Sequence, residues 1–243
     1  MRLLADLHVH TLASGHAFST VEEVVRAAAD KGLEMVALTD HGPAMPGGAH
    51  EYHFGNLRVL PDLLQGVEIL RGVEANVLDR NGRLDLPEVY LERLDLVLAG
   101  LHVPCLPPAD RESNTLAMVN ALRNPYVDIV VHPGNPEFPV DFAEVVRVAA
   151  AEGKALELNN SSFLVRKGSR EFCGEVARLA RRCGALVSVG SDAHFAADVG
   201  KFDQALELVF AAGILPEQVL NSSARRVSEF LAARGKKRFV EKR

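Results

Sequence analysis

The chain has 243 residues, 48% of them hydrophobic and 24% charged, and carries a formal net charge of −5. No apolar run approaches about 18 residues, which excludes a membrane-spanning helix, and the acidic balance argues against non-specific nucleic-acid binding. Cys105, Cys173 and Cys183, an odd count without C-x-x-C spacing, suggest neither a disulfide framework nor a thiolate zinc site.

The chain opens MRLLADLHVH, interrupted by charge too early for a signal peptide, so a cytoplasmic protein is expected. Short β-rich apolar runs then alternate with segments of helical period. The runs cover 2–9, 34–40, 68–75, 94–102, 127–132, 154–159 and 185–192. Several are nearly continuous Val, Ile, Leu and Ala, the mark of strands buried on both faces. The first helix is expected over 19–32, with Ser19 and Glu22 in capping-box spacing and Gly32 to end it. Asp141, Glu144 and Gly153 repeat that grammar, and a further helix ends at Gly184. After the last strand, 202–213 and 216–235 read as helical. The stretches 42–61 and 103–114 lack periodicity and read as long loops, which are often functional. No linker interrupts the pattern, so residues 1–243 are expected to form one domain, with a flexible, solvated basic tail over about 234–243. Seven strands with helical crossovers suit a parallel barrel or an open doubly wound sheet.

The strand ends carry the chemistry. The first runs into His8 and His10, with His16 in the following loop; the second ends at His41, the third at Glu74, the fourth at His102, the fifth at His132, and the seventh at Asp192 and His194. In a parallel sheet or barrel these carboxyl ends share one face. Seven of the nine histidines belong to this set. Crowded neutral imidazoles without a cation would leave buried nitrogens unpaired, at a cost. With Glu74 and Asp192 they make nine candidate metal ligands. Residues i and i+2 of a strand share a face, so His8 and His10 can reach one ion. Asp6, read as lying on that same face, could orient a ligand histidine. At about three protein ligands per catalytic metal the set would hold three divalent ions, or two with fuller shells. Imidazole and carboxylate donors suit zinc, manganese or iron. Such a pocket is strongly positive and favours an anion such as phosphate, and paired metals generate hydroxide and stabilise displacement at phosphorus.

Taken in order, DLHVHT, His16, LTDHG, GVEAN, AGLHVP, VHPGNP, NNSSF and GSDAH resemble the PHP (polymerase and histidinol phosphatase) superfamily, and most closely its stand-alone bacterial YcdX-like phosphatases. The resemblance runs from residue 3 to about 230. It implies an α/β fold, a distorted seven-stranded (β/α)7 TIM-like barrel, with a trinuclear site at the C-terminal ends of the strands. Carried over by position, His8, His10, Glu74 and Asp192 resemble the ligands of a first metal. Glu74, His102 and His132 resemble those of a second, with Glu74 as the bridge, and His16, His41 and His194 those of a third.

The expected activity is hydrolysis of a small-molecule phosphate monoester by a hydroxide held between metals, with Glu74, Asp192 and His194 central to catalysis. Zinc is the first choice of ion. His50 and His53 on the loop after the second strand, and Arg166 and Lys167 after the sixth, are candidate substrate contacts. Alternatives are a phosphodiesterase or nuclease acting on nucleic-acid ends, an amidohydrolase, or a non-catalytic metal-binding protein. The family also suggests association, with a homotrimer as the expectation.

Overall fold

The structure, a computed structural model, describes residues 1–240. Seven parallel strands pair in chain order: β1 (Ala5–Val9), β2 (Met35–Leu38), β3 (Val67–Asn76), β4 (Leu96–Gly100), β5 (Ile129–Val130), β6 (Ala155–Asn159) and β7 (Leu186–Gly190). They form a nearly closed barrel with helices between, the fold expected from the sequence. A two-residue strand, Leu63–Leu64, pairs antiparallel with β3 and was not legible in the sequence.

Closure of the seam between β1 and β7 uses two devices. At the C-terminal mouth, Asp192 N donates to His8 O at 3.0 Å and His10 N to Ala193 O at 2.9 Å. Lower down, the buried Asn221 side chain fills the gap: its Nδ2 donates to Ala5 O (2.7 Å) and Val189 O (2.8 Å), and its Oδ1 accepts from Val189 N (3.0 Å). One carboxamide thereby satisfies backbone groups of two strands that would otherwise be orphaned. Asn221→Ala strands those groups in a dry seam, at about 2–4 kcal/mol. A fall in Tm of roughly 5–15 °C is expected in a thermal melt; an unchanged Tm would show that the seam closes without it.

This latch also explains a difference in the last helix. The continuous helix expected over 216–235 is broken into 3-10 turns at Pro216–Gln218 and Leu220–Ser222 before an α-helix at Ala224–Ala233. Drawing Asn221 into the seam interrupts the spiral, and Ser223 caps a new start by accepting from Arg226 N at 3.3 Å. The helix Val21–Asp30 likewise starts one residue later than expected. Thr20 and Glu23 form its capping box, whereas Ser19 Oγ accepts from Ala196 N at 2.9 Å. The loop expected over 103–114 gives way at Arg111 to the helix Arg111–Arg123, and that over 42–61 contains the helix Glu51–Asn56.

The barrel interior has two layers. Its floor is apolar, built from Leu7, Met35, Leu70, Leu96, Leu98 and Ile129, and is sealed from below by Phe230, Leu231 and Phe239. The expected flexible tail is corrected over 234–240; residues 241–243 of it lie outside the described residues. Phe239 is only 4% exposed, and Arg238 donates to Ile69 O and Asp95 Oδ2, both at 2.7 Å. A basic segment that buries an aromatic and pairs its guanidinium with partly buried carboxylates has reason to dock. The upper layer of the barrel is polar and forms the site.

Candidate metal centre

Each of the nine donors expected from the sequence lies at the mouth formed by the strands' C-terminal ends. His8 and His10 flank Val9 at the end of β1. His41, His102 and His132 follow β2, β4 and β5, Glu74 lies within β3, and Asp192 and His194 follow β7. Five of the imidazoles converge on Glu74. Its Oε1 lies 3.0 Å from His102 Nε2 and 2.8 Å from His132 Nε2. Its Oε2 lies 3.3 Å from His8 Nε2, 3.4 Å from His10 Nε2 and 2.8 Å from His41 Nδ1. Asp192 Oδ1 is 3.3 Å from His10 Nε2 and 3.5 Å from His194 Nδ1, and His194 Nε2 is 3.1 Å from His16 Nε2.

These residues fit divalent ions. His8 Nε2, His10 Nε2, His41 Nδ1, His102 Nδ1 and Glu74 Oε2 are buried without a hydrogen-bond partner. Buried polar atoms are rarely left so, and four of these five, all but His102 Nδ1, meet at one centre. The sets His8–His10–Glu74, His41–Glu74–His102 and His10–His41–His194 each bring three donor atoms within 4.8 Å of one another. His41 stands close to both Glu74 and the outer histidines, so it is less confined to the third set than the family resemblance implies.

Electrostatics prepare the donors. Burial alone would raise Glu74, but the imidazoles of His41, His102 and His8 outweigh it and hold the carboxyl well below its ordinary range. Burial, with His41 beside it, lowers His10 to about 3, and burial, with Arg166 nearby, lowers His132 to about 4. Both therefore offer lone pairs at neutral pH. Burial also pulls on His8, but the charges of Glu157, Glu74 and Asp192 prevail and raise it well above its usual value.

The backbone around the donors is constrained. His132 (φ 33°) and Asp192 (φ 54°) occupy the left-handed region without being glycine. Such positions cost of order 1–3 kcal/mol and persist where surrounding bonds over-determine them. Here His132 N donates to Glu157 Oε2 at 2.9 Å, and Asp192 N is held by His8 O. At Gly190 a Cβ would come 1.9 Å from Glu157 Oε1, so only glycine lets that carboxylate sit under the cluster.

Glu157 was missed by sequence reasoning. Its Oε1 lies 2.8 Å from His8 Nδ1, which fixes the ring with Nε2 facing Glu74. The available signal was a lone carboxylate in the buried run ALELN, two positions before Asn159 on the inward alternation. Glu157→Gln is expected to weaken metal affinity about 10–100-fold, measured by competition with a chelator; unchanged affinity would show that His8 is oriented otherwise. Asp40 was missed as well. It accepts from Thr11 Oγ1 and Ser14 Oγ, both at 2.7 Å, and Ser14 Oγ in turn lies 3.0 Å from His10 Nδ1.

Asp6 departs from expectation. It accepts from Ser191 N (3.2 Å) and Gly200 N (2.8 Å), not from an imidazole. The β1–β2 register slips between Asp6 and Val9, so Leu7 joins the inner core and Val9 the outer one. This irregularity breaks the alternation that placed Asp6 beside His8 and His10.

A cavity of about 420 Å³ opens above the cluster, and Arg166, Met45, Leu164, Val165 and Lys201 line it together with seven of the nine donors, all but His8 and His10. Arg166 NH1 reaches Ser162 Oγ at 2.8 Å and lies 3.5 Å from Asp192 Oδ2. The other candidate substrate contacts do not line the cavity. His50 is exposed and accepts from Tyr52 N at the start of its helix, His53 Nε2 lies 3.4 Å from Asp40 Oδ2, and Lys167 is exposed. None of the three therefore faces the cavity, which sequence position alone did not reveal.

A seven-stranded barrel with imidazoles and carboxylates at its C-terminal mouth is the layout of a PHP domain. That family's profile matches residues 6–130, and the chain belongs to the PHP family. It is 51% identical over 239 residues to a probable phosphatase of Caldanaerobacter subterraneus subsp. tengcongensis, covering 98% of this chain and 94% of the relative. It is 48% identical over 238 residues to one of Shewanella sp. (strain MR-4), covering 98% and 94% respectively. Among solved structures it is similar in fold to the histidinol phosphate phosphatase of Lactococcus lactis subsp. lactis Il1403, crystallised with zinc, L-histidinol and phosphate. There the TM-score is 0.65 at 18% identity, covering 88% of this chain and 95% of the other. Among the described residues, no helix is long and apolar enough to cross a membrane.

Proposed function

We propose that this chain, as one domain, is a metal-dependent phosphatase acting on small-molecule phosphate monoesters. The observation that carries the reading is the set of buried, unpartnered imidazole nitrogens gathered on Glu74. The relatives' names as probable phosphatases support it.

In this reading His8, His10, Glu74 and Asp192 would hold one divalent ion, Glu74, His102 and His132 a second, and His16, His41 and His194 a third. Zinc is the first choice, with manganese or iron as alternatives. When bound, such ions supply Lewis acidity toward phosphate oxygens and a nucleophilic water at neutral pH.

The chain's own groups do the rest. Glu74 spans the two inner donor sets through its separate oxygens. Asp192 links the inner histidines to His194, which is 30% exposed at the mouth. Glu157 and Ser14 fix the rings of His8 and His10. Arg166, 3.5 Å from Asp192, stands where it can bond a phosphate oxygen. Overall, water forms the new P–O bond, the ester P–O bond breaks, and a proton reaches the leaving oxygen.

The test pairs elemental analysis of purified protein with turnover of 4-nitrophenyl phosphate and bis(4-nitrophenyl) phosphate, before and after chelation. About three ions per chain are expected, with monoester turnover that chelation abolishes and added metal restores. Chelator-insensitive turnover, or a preference for the bis-ester, overturns the reading.

A further inference from the structure

The donor cluster forms only part of the cavity lining. Its large apolar side chains are Met45, Leu164 and Val165. Leu164 and Val165 belong to the short helix Ser162–Val165 and are 76% and 67% exposed. Large apolar side chains so exposed over a polar floor mark a surface that a ligand can cover.

Several polar groups on the same lining are already engaged. Arg166 faces Asp192 and Ser162, and Lys201 Nζ pairs with Asp198 Oδ1 at 2.5 Å. Asn160 Oδ1 accepts from Ala205 N at 3.1 Å, and Ser191 Oγ points to His8 O at 3.4 Å. A leaving group rich in hydroxyls laid against Met45, Leu164 and Val165 would lose water there and gain no hydrogen bond from those side chains, which sites penalise strongly. A carboxylate or second phosphate on the leaving part would meet the carboxylates of Asp192 and Asp198 beside the cations of this lining.

We propose that the leaving part of the substrate is uncharged and predominantly apolar, an alkyl or aryl-alkyl alcohol seated against Met45, Leu164 and Val165 while the phosphate faces the donor cluster. This rests on the phosphatase reading above and adds to it the chemistry of the other half of the substrate. Leu164 and Val165 are then the specificity-determining residues.

Benzyl phosphate and glycerol 3-phosphate, both primary-alcohol esters, separate pocket chemistry from the leaving-group difference an aryl ester would introduce. Metal-loaded protein is expected to show a kcat/KM for benzyl phosphate at least about tenfold above that for glycerol 3-phosphate. The double variant Leu164→Ala, Val165→Ala should lower that ratio about tenfold, with circular dichroism and Tm confirming the fold. In parallel, calorimetry should find benzylphosphonate bound more tightly than methylphosphonate, with the difference reduced in the variant. Equal or reversed preference between the esters, or a ratio indifferent to the double substitution, overturns the proposal and leaves the phosphatase reading standing. No turnover of either ester, with the phosphonate preference kept, overturns the phosphatase reading and upholds the apolar subsite. Loss of both turnover and preference overturns both.

Discussion

Replacing Glu74 with Ala is expected to cut phosphate-ester turnover by at least about 10²–10³-fold and to leave the protein short of at least one ion per chain. The expectation follows from the carboxylate's position. Its two oxygens face five imidazoles from strands or loops spread from residue 8 to residue 132, of which the neighbouring carboxylate of Asp192 shares only His8 and His10. The main chain at Glu74 would survive, because Glu74 N donates to Asp40 O and Gly42 N to Glu74 O whatever the side chain. Glu74→Gln keeps the volume and replaces one acceptor with an N–H₂ donor among ring nitrogens, so it should fail nearly as badly. Full turnover in the alanine variant, at undiminished metal content, would remove Glu74 from the reaction.

Stripping the metal should produce a protein whose stability peaks near pH 6.5, the ordinary value for histidine, and falls on both sides. Below that pH the unfolded chain takes up protons that folded His10 and His132 refuse until about 3 and about 4. Their contribution is therefore present above 6.5 and lost as the pH falls, by about 2 kcal/mol for each imidazole at pH 5. Above 6.5 the opposite groups act. His8 and His41 are raised: burial opposes their charge, but Glu157 and Glu74 favour His8 and Glu74 favours His41. The stability they add is full below 6.5 and lost as the pH climbs through their folded values. Asp6, which burial raises to about 6, takes up a proton in the folded state over the same range and offsets part of this loss, so a drop in Tm of roughly 5–10 °C between pH 6.5 and 5 is expected for metal-free protein. Metal-loaded protein, its rings held as neutral donors, should vary much less between pH 6.5 and 8. Identical melting curves for the two forms across this range would contradict the arrangement.

Much of the barrel was legible because its strands are buried on both faces and so read as unbroken apolar runs ending in a polar residue. The same punctuation exposed His41, His102 and His132, since an imidazole that closes a run of Val and Leu has few structural excuses. Glu157 escaped because it lies inside such a run instead of ending it. The helix Arg111–Arg123 escaped because Asn114, Thr115, Ala117, Met118, Val119, Ala121 and Leu122 are all buried, which erases the polar stripe that periodicity needs. Asp6 was misplaced because the slip in β1 leaves no mark in residue type. His50, His53 and Lys167 were drawn toward the site by loop position, yet loop trajectories depend on contacts such as His50 with Tyr52 N that no spacing encodes.

The seam joining β1 to β7 has a temporal consequence. Asn221 bonds a strand 216 positions earlier, and Asp192 meets His8 across nearly as long a stretch. Contacts so remote in sequence are slow to form and late to be rewarded. A nascent chain that has emerged only through β6 would present β1 and β6 as bare edges, open to pairing with other chains. Cation capture at the mouth would thus belong to the closing moments of folding, when the final third of the polypeptide finally returns to its beginning.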